Sequence, residues 1–120
     1  MALSQYEQLD TVILDQYCDA IGAELLMKSV VMFEEMGPQY IGAVATAINA
    51  DKKEAIISEA HKLKGAAGSI GLKRIQQLSE RIQCGDEPEW ESQFSEWFAQ
   101  INLHYDADVS LLKQYLAGKS

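Results

Sequence analysis

The chain has 120 residues, 48% of them hydrophobic and 23% charged, a balance that fits one globular domain and excludes a disordered segment. Eighteen acidic against ten basic side chains leave a formal charge of −8, which disfavours non-specific binding to nucleic acid or to an anionic membrane. Cys18 and Cys84 lack any CxxC spacing, so neither a disulfide framework nor a zinc knuckle is indicated and a reduced, cytosolic setting is expected. No apolar run approaches the ~20 residues of a membrane span, and no signal-peptide pattern opens the chain.

Asp10 or Thr11 is positioned to cap a short first helix through Ala20, with Val12, Ile13, Tyr17 and Cys18 as its apolar positions. A long helix follows from about Ala23 to Ile48, where Leu25, Leu26, Val30, Phe33, Met36, Tyr40, Val44 and Ile48 recur at helical spacing. Gly37-Pro38 inside it predicts a kink, or two helices meeting at that point. Asn49 or Asp51 restarts a helix to about Ala67, and Gly68-Ser69-Ile70-Gly71 stops it. Leu72, Ile75, Leu78 and Ile82 define the next helix, ending at Cys84-Gly85-Asp86. Pro88 in a first-turn position opens the last helix, with Trp90, Phe94, Trp97, Phe98, Ile101, Tyr105, Val109, Leu112 and Leu116 as its stripe. The aromatic part of that stripe reads as bundle core rather than a cofactor box.

No strand-like alternation competes with these patterns. The expected fold is all-α: an antiparallel four-helix bundle with a short N-terminal helix over one end. One domain should span residues 1–120, with its core over about 10–118.

His61-Lys62-Leu63-Lys64-Gly65-Ala66-Ala67-Gly68-Ser69 stands apart from the rest. Ile56, Ala60, Leu63 and Ala67 share one helical face, while His61, Lys64, Gly65 and Gly68 form a stripe roughly 80–180° around from Ile56. Lys64 and Gly65, three and four residues on, neighbour His61 on the surface. Each helical glycine costs about 1 kcal/mol relative to alanine. Near an imidazole and an ammonium group, that cost has a use: it lets another molecule approach closely. Gly68 also has an ordinary explanation as part of a helix end. Residues 51–81 hold seven basic and four acidic side chains, a local +3 that leaves −11 on the remainder. Such a surface suits an anionic group or an acidic partner.

A free imidazole titrates near ~6.5 and is mostly neutral at pH 7, so one ring nitrogen can take a phosphoryl group while the other carries the proton. A neighbouring lysine then stabilises the transferred charge. The same residues make no enzyme alone, having no ATP cradle, metal carboxylates or acid/base partner.

The H-x-x-K-G-small-small pattern at His61 resembles the motif of histidine-containing phosphotransfer (HPt) domains. The similarity runs from about Thr11 to Leu116, taking in Phe33-Glu34-Glu35-Met36, Pro38-Gln39-Tyr40, Ile75-Gln76-Gln77-Leu78 and Pro88-Glu89-Trp90-Glu91. The resemblance implies a phosphorelay intermediate that takes a phosphoryl group from a receiver-domain aspartate and passes it to a response-regulator aspartate. It makes His61 the phospho-acceptor, Lys64 its charge partner, Gly65 its small neighbour and Gln83 a glutamine close to it. It implies no cofactor in this domain, with Mg2+ on the partner receiver. It further implies the C-terminal, cytosolic part of a larger hybrid sensor kinase at the inner membrane, monomeric as an isolated domain, without nucleic-acid or direct membrane contact.

The partner is expected to cover apolar residues beside His61, such as Ile57 or Ile70. The rival expectation is a helical adaptor that binds receivers without accepting phosphate. His104 has no motif around it and reads as structural. A metal site built from His61 and His104 lacks a third ligand, and no paired Glu and ExxH motifs suggest a di-iron bundle.

Overall fold

The computed structural model describes residues 6–119, which form five helices: α1 (Thr11–Ile21), α2 (Ala23–Asn49), α3 (Lys53–Ser69), α4 (Lys73–Gln83) and α5 (Trp90–Ala117). Helix α2 packs against α3 and α5, α3 against α4, and α4 against α5, while α1 leans on α2. That closed ring is an all-α four-helix bundle with a short additional helix. Three-residue connections at 50–52 and 70–72 force α2, α3 and α4 to run antiparallel.

The core follows the helical period read from the sequence except at Val12, Leu25 and Met36, which are exposed. Leu26, Val30, Phe33, Ile41 and Ala47 of α2 meet Ile56, Ala60, Leu63 and Ala67 of α3, Ile75 and Ile82 of α4, and Ile101, Val109 and Leu112 of α5. Trp90 and Trp97 are buried in the same core, with Phe94 and Phe98 packed against it. One polar exception crosses the bundle: the Arg74 guanidinium donates to both carboxylate oxygens of Asp108, at 3.0 and 2.6 Å, and Asp108 is buried. The paired charge is what makes that burial tolerable.

Three helix ends differ from the sequence expectation. Asn49 and Asp51 do not cap α3. Asn49 is the last residue of α2, and Asp51 takes a left-handed φ of 54° in the turn. There the Asp51 N–H donates to the Ile48 carbonyl and the Lys52 N–H to the Ala47 carbonyl, the double bond of a Schellman turn. Helix α3 ends by the same device, with Gly71 at φ +78° and the Leu72 N–H donating to the Ala67 carbonyl. The stop is therefore Gly71, and Gly68 lies inside the helix. Pro88 precedes α5 by two residues instead of occupying its first turn, and the Trp90 indole N–H reaches back to the Ile82 carbonyl at the end of α4.

Helix α2 runs without interruption through Gly37-Pro38 as one helix, not two. Proline has no N–H to offer the Glu34 carbonyl four residues back. The Tyr105 hydroxyl of α5 replaces it, shared between the Glu34 and Phe33 carbonyls at 3.3 Å each. Gly37 makes room for that phenol, because a Cβ there would lie 2.0 Å from the Tyr105 hydroxyl. Helix α1 begins as expected, with the Asp10 carboxylate accepting from the Ile13 N–H.

Candidate functional site

Helix α3 buries Ile56, Ala60, Leu63 and Ala67 between α2 and α4, and this orientation fixes where the remaining residues go. Gly65 sits almost opposite the core, and His61 and Gly68 flank that line on the side of α4. His61 is exposed and makes no hydrogen bond or ion pair with the described residues. Gly65 is exposed as well, and a Cβ built there would meet nothing within 4 Å. No neighbour among the described residues requires a glycine at 65, so the cleared space faces outward.

Lys64 is half-buried on the flank of α3 that faces α4, and its ammonium forms no ion pair with the described residues. Lys62, by contrast, is held at 3.0 Å by Glu59 on its own helix. Lys64 is thus an uncommitted cation beside an uncommitted imidazole.

Two contacts set the antiparallel register of α3 on α4. A Cβ at Gly68 would lie 2.8 Å from the Gln76 amide nitrogen, and one at Gly85 would lie 2.3 Å from the Ile57 side chain. Counting inward from these brings the turn of His61 level with residues 81–83. Gln83 follows Gln76 by seven residues and so returns to the same, α3-facing side of α4. Its Oε1 is buried without a hydrogen-bond partner, the one such side-chain atom among the described residues.

The expected apolar neighbours need correction. Ile70 is buried, because the turn that ends α3 folds it back into the core, and Ile57 is half-buried against Gly85. Exposed apolar surface lies instead on the α2 side of α3, where Met32 and Met36 line a shallow groove with Tyr40, Ala66 and Ser69. Met36 falls in the helical stripe read as core, and nothing in the sequence separated it from the buried face. His104 sits on α5 with a ring nitrogen 3.1 Å from the Gln100 side-chain oxygen. Among the described residues no three His, Cys, Asp or Glu side chains are grouped to hold a metal, and no helix is long and apolar enough to cross a membrane.

Fold and site together define a helical-bundle protein that presents a single bare imidazole, with a cation beside it, on an outward ridge. Comparison with known proteins carries this further. The Hpt domain family model matches residues 28–116, and the chain belongs to that family of two-component phosphorelay proteins. It is 38% identical over 109 residues to the aerobic respiration control sensor protein ArcB of Escherichia coli K12, and equally to that of Shigella flexneri. The match covers 91% of this chain and 14% of each relative, so the chain spans about one-seventh of their length. The structure is similar to the histidine-containing phosphotransfer domain of ArcB from Escherichia coli, with a TM-score of 0.91 and 37% identity over 94% of this chain and 96% of that one. A solution structure of the same domain gives a TM-score of 0.86, at 38% identity over 95% and 92% of the two chains.

Proposed function

We propose that His61 is a reversible phosphoryl carrier, loaded from a receiver-domain aspartyl phosphate and unloaded onto a response-regulator aspartate. The observation that carries this reading is an exposed His61 with no partner among the described residues, beside the open space at Gly65. A ring nitrogen attacks phosphorus, the P–N bond forms, the P–O bond to the aspartyl oxygen breaks, and the carboxylate leaves. The Lys64 ammonium offsets the charge gathering on the phosphoryl oxygens. His61 and the Gln83 Oε1 are each unpartnered among the described residues and are not bonded to one another; in this scheme the imidazole turns toward α4 so that the Oε1 accepts the N–H of the other ring nitrogen. Magnesium belongs to the receiver in this scheme. The chain then acts as one terminal module of a hybrid sensor kinase, in keeping with the fraction of its relatives that it spans.

Incubation with receiver domains phosphorylated by acetyl phosphate tests the proposal. Label is expected to move onto the protein as an acid-labile, alkali-stable phosphoramidate, and His61→Gln is expected to abolish it. Unimpaired labelling of His61→Gln would refute the assignment. Receiver binding without any labelling of the parent protein would favour a helical adaptor instead.

A further inference from the structure

Gly68 lies inside α3, so ending the helix does not explain it. Its missing side chain is replaced by one from the neighbouring helix: an ideal Cβ would stand 2.8 Å from the Gln76 Nε2 and 3.0 Å from its Cδ. The carboxamide therefore lies across the backbone of α3. Gln76 is only half-buried, and neither its amide nor its oxygen hydrogen-bonds to any described residue. Its polar atoms are not sealed from water, unlike the Gln83 oxygen. A long, flexible side chain is thus held in place by packing while its hydrogen-bonding groups stay unused.

Its position gives those groups a use. Gly68 follows His61 by seven residues, which is ~10 Å along the helix and within ~20° of the same face. A standard docked protein covers ~800 Å² per partner, a patch reaching ~16 Å from its centre. Any partner centred on His61 therefore covers Gln76. Resting on the phosphorelay reading, we propose that Gln76 is a docking contact whose carboxamide, laid over Gly68, hydrogen-bonds the backbone of the docked receiver. A neutral group with donors and an acceptor on one plane suits a peptide N–H and C=O better than it suits a charge. Packing against Gly68 has already removed much of its rotamer freedom, so little more is lost on docking.

The experiment compares the parent protein with Gln76→Ala, Gly68→Ala and the double variant. It follows transfer from acetyl phosphate-labelled receiver domains over a range of receiver concentration, calorimetric binding of the unlabelled receivers, and urea unfolding. Gln76→Ala is expected to raise the half-saturating receiver concentration about 3- to 10-fold while the saturated rate holds, the loss of one net hydrogen bond. Gly68→Ala displaces the carboxamide and should do the same, and the double variant should be no worse than either single one. Unchanged half-saturation in Gln76→Ala overturns the proposal, as does a loss that only follows a fall in the unfolding midpoint. If the parent takes no label, the carrier reading fails and the binding arm alone decides Gln76. A parent that neither takes label nor binds any receiver overturns both.

Discussion

Gly65 and Gly37 both sit inside helices, yet the space around them is opposite in kind. A Cβ at Gly65 meets nothing within 4 Å, whereas one at Gly37 would collide with the Tyr105 phenol. Gly65→Ala should therefore stabilise the fold by up to about 1 kcal/mol, the ordinary helix-propensity gain. Gly37→Ala should destabilise it despite the same gain. Urea unfolding midpoints of the two variants should move in opposite directions. Under the proposed carrier function, transfer to and from receivers should fall in the stabilised Gly65→Ala, because its new methyl group would stand in the space through which a partner reaches His61. The sequence already singled out Gly65 beside His61 and Lys64, because an unexplained helical glycine is visible there. It set Gly68 apart as part of a helix end, whereas the fold puts Gly68 inside α3 with its space filled by Gln76 and leaves Gly65 facing outward.

At the scale of the element, α2 survives an internal proline because α5 repairs it. The Tyr105 hydroxyl supplies a proton to the Glu34 carbonyl that Pro38 leaves without one. Tyr105→Phe leaves that carbonyl short and should cost about 1–3 kcal/mol. The cost should shrink in a Pro38→Ala background, where the restored N–H serves the same carbonyl, and a double-mutant cycle by urea unfolding measures the difference. Burial, with Glu34 and Asp106 adding to it, pushes the Tyr105 phenol up to about 12. The folded state thus holds this proton more tightly than the unfolded chain, whose tyrosines titrate near ~10. Its contribution to stability is complete below pH 10 and is lost as pH rises from 10 to 12; the Tyr105→Phe variant should lack that part of the alkaline decline.

Helix period and turn residues were enough to read the five elements, because each helix buries a stripe repeating every three or four residues. Cross-helix partnerships were not legible in the same way. Nothing local in the chain links Pro38 to Tyr105, Arg74 to Asp108 or Gly68 to Gln76, since each pair meets only after the bundle closes. The caps expected at Asn49 or Asp51 were misassigned for a related reason. Schellman turns close α2 and α3 through backbone bonds, so side chains suited to capping were not the ones marking the boundary.

Across the whole molecule, acidic charge dominates at −8, while residues 51–81 sum to +3, with Arg74 and Lys53 of that stretch paired to Asp108 and Glu91 of α5. The accessible surface is 6892 Å², and a standard partner footprint of ~800 Å² centred on His61 takes up the entire ridge. If His61 carries phosphoryl groups as proposed, donor and acceptor must then occupy the same ground in turn. Under the carrier reading, an excess of unphosphorylated response regulator should slow loading by the donor, and kinetics with both partners present should follow a ping-pong pattern with substrate inhibition. Loading rates unaffected by acceptor concentration would show that the two partners land on separate faces. A ridge with a single berth makes traffic through the protein strictly sequential, so throughput is governed by how fast the first visitor departs.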